Sequence, residues 1–178
     1  MLSLMKWGLV PAWAKDEKVA YSTFNARSEE LAGKPSFRAA WKAGRRGIIP
    51  LTGFYEWKKL DAKGKDKQPY LITRTDGALM AVATLWEAKK FDGGDMLRTF
   101  TIVTTAANNF MSEIHDRMPV ILSMHDVAAW LGEEDIDLNA ASALMKPAPE
   151  AALKKVTVDK RMGNVKNWQE EFCRPIAE

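Results

Sequence analysis

An α+β fold, with an antiparallel and partly barrel-like β-sheet and a few short flanking helices, is what the sequence predicts, on three observations. Runs rich in β-branched and aromatic residues recur through the middle of the chain, bounded by turn signals such as Asp76-Gly77. Between and after them lie short stretches whose apolar residues recur at helical spacing. The length, 178 residues with 47% apolar and 28% charged, suits a single domain over 1–178 with one sizeable core.

The elements follow in chain order. The opening "MLSLMKWGLVP" has neither the length nor the cleavage site of a signal peptide. A helix is predicted at "SFRAAWKAG". "GRRGIIPLTGFYEWKKL" reads as a strand entering a lysine-rich loop, "PYLITRTDG" as the returning strand, and "ALMAVATLWEA" as a third strand, which together make an antiparallel meander. "LRTFTIVTTAA" is a fourth strand and "RMPVILS" a fifth, with "AANNFMSEI" helical between them. A helix follows at "MHDVAAWLG", with Ser123 placed to cap it and Asp126 three residues on as the other half of a capping box. "DLNAASALM" is a further helix, stopped by proline at "KPAPE", and "LKKVTVD" is the last strand.

Composition narrows the function. The longest apolar runs, such as "GALMAVATLW", fall short of a membrane span, so a cytoplasmic protein is expected. The one cysteine, Cys173, has no partner in the chain, and no Cys/His cluster has zinc-ligand spacing; neither a structural metal nor a cofactor is expected. The net charge of +3 is matched by the segment Lys58 to Lys67, with five lysines and two aspartates, while "EEDID" is an acidic block far along the chain. That basic segment reads either as a solvated hairpin loop or as a face for a polyanion.

Several side chains could do chemistry. Of the two histidines, His125 falls in the first turn of a helix at the surface, while His115 lies where a short helix gives way to a strand. Beside it, Asp116 could orient an imidazole or cap a turn, and Arg117 could grip a carboxylate or a phosphate. Alternation places Thr52, Phe54 and Glu56 on one strand face and Tyr55 and Trp57 on the other, so Glu56 is either an exposed strand-end carboxylate or one tuned by apolar neighbours. Seven tryptophans are many for this length, and five have a basic neighbour: Trp7, Trp13, Trp41, Trp57 and Trp168. Each reads as core packing or as part of a stacking groove for single-stranded nucleic acid.

Taken in order, "WGLVPAWAKD", "FNARSEEL", "SFRAAWKAGRRGIIPLTGFYEWKK", "QPYLI", "TIVTTAAN", "IHDRMPVIL" and "GNVKN" resemble the SRAP family, the SOS response-associated peptidases. The resemblance covers nearly the whole chain, from Trp7 to about Asn167. It implies a monomeric sensor of abasic sites in single-stranded DNA. Such a sensor uses an N-terminal cysteine, freed by autoproteolytic loss of the initiator residue or a short leader, to form a thiazolidine crosslink with the ring-opened sugar. By motif, Asn25 would orient that cysteine, Glu56 would be the acid/base, and His115 would assist proton transfer at the sugar. Arg27 and Arg117 would bind phosphate, and Trp13 and Trp57 would stack or wedge bases. The departure lies at the start: family members begin Met-Cys-Gly-Arg a few dozen residues before "WGLVP", whereas Met1 stands six residues before Trp7 and no cysteine occupies that position. The expectation is a mis-called or fragmentary start. The alternative is a truncated, non-covalent single-strand binder or an inactive fragment.

Overall fold

Alternation in the run 96–106 sets the first sheet. Thr99, Thr101, Val103 and Thr105 are buried while the residues between them are half-exposed, the pattern of a strand with one face on a core. In this computed structural model, which describes residues 2–163, 166, 169–174 and 176, the chain divides into two compact units. One comprises Met1–Ile49, Ala81–Thr105 and Pro119–Pro147, the other Pro50–Met80, Ala106–Met118 and Ala148–Glu178.

In chain order the regular elements are β1 (Lys6–Trp7), β2 (Asn25–Arg27), α1 (Pro35–Lys42), β3 (Arg46–Leu51), β4 (Gly53–Lys59), β5 (Lys67–Arg74), β6 (Met80–Lys90) and β7 (Met96–Ala106). They continue with α2 (Asn109–Ser112), β8 (Arg117–Pro119), β9 (Ile121–Leu122), α3 (Val127–Leu131), α4 (Leu138–Ala143) and β10 (Leu153–Thr157). The α+β class therefore holds. No helix among the described residues is long and apolar enough to cross a membrane.

A seven-stranded sheet runs β1-β7-β6-β3, with β2 also on β7, β9 on β6, and β8 as a short seventh strand. β6 and β7 are antiparallel, in register from Thr84↔Ile102 to Lys90↔Met96. β1 and β2 follow one another along β7, and both run parallel to it, Trp7 opposite Phe100 and Asn25 opposite Ile102. The sheet is thus mixed where an antiparallel one was expected. The first unit's core joins Leu9, Ala26 and Leu31 to Phe37 and Trp41 of α1, Leu85 of β6, Val103 of β7 and Trp130 of α3. Ser123 and Asp126 do bond, the Ser123 hydroxyl donating to Oδ2 (2.7 Å) and accepting from the Asp126 amide (3.2 Å), although α3 itself starts at Val127.

The second unit holds a three-stranded antiparallel sheet, β10-β5-β4. Here the expected meander is corrected: β6 is not its third strand, and β10 takes that place beside β5, from Leu153↔Arg74 to Thr157↔Tyr70. The cause is visible in burial. Met80 to Leu85 are buried without a break, so β6 has two covered faces and needs a central position, which it has between β7 and β3. The single strand read through "GIIPLTGFYEW" is likewise two, broken at Thr52. Gly53 starts the second, and a Cβ there would lie 2.6 Å from the Ile72 carbonyl oxygen, so only glycine fits. The Tyr55 hydroxyl donates to the Cys173 carbonyl (3.1 Å), and burial, followed by the Cys173 side chain, pushes the Tyr55 phenol up to about 12.

Candidate functional site

Three of the seven candidate residues belong to the first unit. β2 alternates exposed, buried, exposed, so Asn25 and Arg27 project from one face while Ala26 enters the core. The Arg27 side chain is 58% exposed, and its guanidinium lies 4.0 Å from Glu30, at the long limit of an ion pair. Trp13 is 58% exposed, yet its ring is held in place: the indole N–H donates to the Pro35 carbonyl at the start of α1, 3.2 Å away.

The other four lie in the second unit. Glu56 and Trp57 are half-buried on β4, on opposite faces, with Glu56 directly across from Tyr70. One Glu56 carboxylate oxygen accepts from the Trp57 amide, 3.1 Å away. Gly163, the first residue of "GNVKN", sits against the edge of the Trp57 indole, where an added Cβ would be 3.3 Å from Nε1. The rest of that motif, apart from Lys166, lies outside the described residues, as does Trp168.

His115 is presented by a tightly closed turn. The Asn108 side chain caps α2 by accepting from the Met111 amide (2.8 Å), and the Met111 carbonyl in turn accepts from the amides of Ile114 and His115, both at 2.9 Å. Met111, Ile114 and Met118 are buried, which leaves His115 and Asp116 outward and Arg117 half-exposed. The imidazole Nδ1 has two neighbours, the Arg117 amide at 3.0 Å and an Asp116 carboxylate oxygen at 3.1 Å. It cannot use both at once. As a neutral ring accepting from the amide, it carries its proton on Nε2; once protonated on Nδ1, it donates to Asp116 instead. The ring is thus supported in either protonation state, which is what a proton shuttle needs.

Glu56, Trp57, His115 and Arg117 therefore share one unit, and Asn25, Arg27 and Trp13 the other. Of the five tryptophans with basic neighbours, Trp41 proves to be core, 3% exposed and packed on Trp130, while Trp7 and Trp13 are exposed. His125 is exposed, as expected, but it lies in the turn before α3 and not in the helix's first turn. Two charged groups near the His115 turn had no signal in the sequence, Glu113 and Lys155: they are 42 residues apart and become partners only through the fold. Among the described residues, no group of three or more His, Cys, Asp and Glu side chains could hold a metal ion.

The family model described as SOS response associated peptidase (SRAP) matches residues 1–165, a stretch that draws on both units. The chain is 41% identical over 171 residues to a Bacillus subtilis protein named abasic site processing protein YoqW, covering 96% of this chain and 75% of that one. Abasic site processing protein YoaM of the same organism is 40% identical over 171 residues, covering 96% and 74%. A crystal structure of a Bacteroides thetaiotaomicron protein matches with a TM-score of 0.87 at 27% identity, over 97% of this chain and 76% of that one.

Proposed function

Because the chain belongs to the SOS response associated peptidase (SRAP) family, we propose that it recognises abasic sites in single-stranded DNA and carries the acid–base part of abasic-site processing. The observation that carries this reading is the His115 turn, whose imidazole has a backbone donor on one side and a carboxylate on the other. Glu56 is the acid/base, His115 moves the proton at the opened sugar, and Asn25 orients the attacking nucleophile. Arg27 and Arg117 hold flanking phosphates. The exposed Trp13 and the half-buried Trp57 give unstacked bases an aromatic surface.

In the family's crosslink, the α-amine of an N-terminal cysteine adds to the sugar aldehyde, one water leaves, and the thiol closes on the imine. One C–N bond and one C–S bond form. Residue 2 here is Leu2, so for these 178 residues the reading is non-covalent binding with the acid–base groups in place. The test is fluorescence anisotropy with labelled single strands that carry one abasic site or none, followed by a denaturing gel. Preference for the abasic strand is expected, with no adduct surviving denaturation; adding an N-terminal segment of a few dozen residues that begins Met-Cys-Gly-Arg is expected to create the adduct, and Glu56→Gln to slow it. Equal affinity for the two strands would sink the proposal. An adduct with the unextended chain would point to its terminal amine or a lysine as the nucleophile.

A further inference from the structure

Three strands of the second unit place their residues in rows. Glu56 of β4, Tyr70 of β5 and Thr157 of β10 are directly opposed, and the neighbouring row is Phe54, Ile72 and Lys155. Opposed partners share a face, as do residues two apart on a strand, so Lys155, Tyr70, Glu56 and Lys58 all stand on one side of this sheet.

Lys155 reaches from that face to the element that carries His115. Its ammonium lies 5.9 Å from the centre of the Tyr70 ring and 5.2 Å from that of Phe110 in α2, and it is ion-paired to Glu113, the residue that closes α2. Lys155 is the more sheltered partner, its side chain 28% exposed against 59% for Glu113. Glu113 stands two residues before His115 inside the turn closed on the Met111 carbonyl, so a force on its carboxylate reaches the imidazole through a short, hydrogen-bonded backbone.

An isolated exposed ion pair positions little, because two long side chains must be ordered to make it. Here the ammonium is also confined between two aromatic faces from two elements, which lowers the ordering cost and fixes the direction of the pair. The charge of Lys58 acts on the same carboxylate. The Glu113 carboxyl is held below its usual range first by the hydrogen bond from Lys155, then by the charge of Lys155, with Lys58 adding to both.

We infer that Lys155 is a positioning residue: through Glu113 and the faces of Tyr70 and Phe110, it fixes the His115 turn against the sheet face that carries Glu56. It touches no reacting atom. The role rests on the reading of Glu56 and His115 given above and deepens it, since an acid/base pair on two elements works only at a set separation.

Lys155→Met keeps the apolar stem against the rings and removes the charge. The chain has only two histidines, so its imidazole C2–H resonances are two, and His125→Gln assigns them. In Lys155→Met and in Glu113→Gln the His115 resonance is expected to shift or broaden while that of His125 stays in place, which also reports that the variants remain folded. The reversed pair, Lys155→Glu with Glu113→Lys, is expected to bring the His115 resonance back towards the wild-type position. With labelled single strands, the preference for an abasic over an intact strand is expected to fall several-fold in Lys155→Met at unchanged affinity for the intact strand. A His115 resonance unmoved in both single variants would overturn the inference, as would an unchanged preference despite a moved resonance. If the wild-type chain shows no preference at all, the proposed function fails by itself, and the histidine resonances still decide whether Lys155 holds the turn.

Discussion

Trp13 is 58% exposed and tethered by one hydrogen bond, whereas Trp41 and Trp130 are 3% and 0% exposed with ring centroids 6.2 Å apart. The same side chain therefore predicts opposite phenotypes. Trp13→Ala should leave the melting temperature within a degree or two of wild type and weaken single-strand binding by about 1–3 kcal/mol, the usual worth of one stacked base. Trp130→Ala should cost about 3–5 kcal/mol of stability, measured by denaturant unfolding, before binding is even considered. If Trp13→Ala bound as tightly as wild type, the indole would have no part in holding the strand. A second residue-scale test concerns Glu87, 2% exposed, whose carboxylate is ion-paired to Arg45 and accepts from the Ala88 amide at 3.2 Å. Arg45→Met strands a buried charge and should cost about 3–5 kcal/mol. Adding Glu87→Leu should recover most of it, and an Arg45→Met variant as stable as wild type would mean that Glu87 is solvated after all.

Among the elements, those with a local signal were legible in the sequence and those set by partnership were not. The run 96–106 alternates cleanly and forms β7, "SFRAAWKAG" forms α1 with Pro35 in its first turn, and "LKKVTVD" forms β10. The meander failed because nothing local in "ALMAVATLWEA" tells whether a two-faced apolar strand joins the sheet of its predecessor or that of its successor. β2 was missed for a related reason: three residues long, it is a strand only because β7 offers it an edge. The turns of the second unit have their own pH signature. Arg161 holds the Asp159 carboxyl down at about 2, and Arg74 holds that of Asp76 well below the usual range, each mainly through a side-chain hydrogen bond. A depressed folded pKa contributes stability that is present above the unfolded value, near 4, and is lost as pH falls through the folded one. These two pairs should therefore add a decline in melting temperature between about pH 4 and 2. Asp159→Asn should flatten part of that decline, and a variant with the wild-type acid profile would show that this pair does not contribute.

For the whole molecule, the family was more legible than the topology, because its motifs are ordered along the chain while the sheet pairings depend on distant partners. What no motif could carry was the Lys155–Glu113 contact, made between residues 42 apart. Charge at this scale leads to a last test. In the segment from Lys58 to Lys67, both acids are already engaged: Asp61 accepts from the amides of Lys65 (2.9 Å) and Asp66 (3.0 Å) at the hairpin tip, and Asp66 is paired at 2.7 Å with Lys160. Lys59, Lys63, Lys65 and Lys67 are exposed, and none of them is ion-paired among the described residues. Asp61 keeps its charge, but Lys160 from outside the segment offsets Asp66, so the hairpin carries more positive charge than its own residues supply, which favours the polyanion face over the merely solvated loop. Each phosphate neutralised by a lysine contributes about 0.7 to the slope of log affinity against log salt for a single strand. Replacing Lys63, Lys65 and Lys67 by Gln should thus make that slope shallower by about 2 if all three contact the strand. The preference for abasic over intact strands should stay unchanged, because phosphate contacts position the strand without reading the lesion. An unchanged slope would return the hairpin to the solvated reading and leave Arg27 and Arg117 as the phosphate anchors.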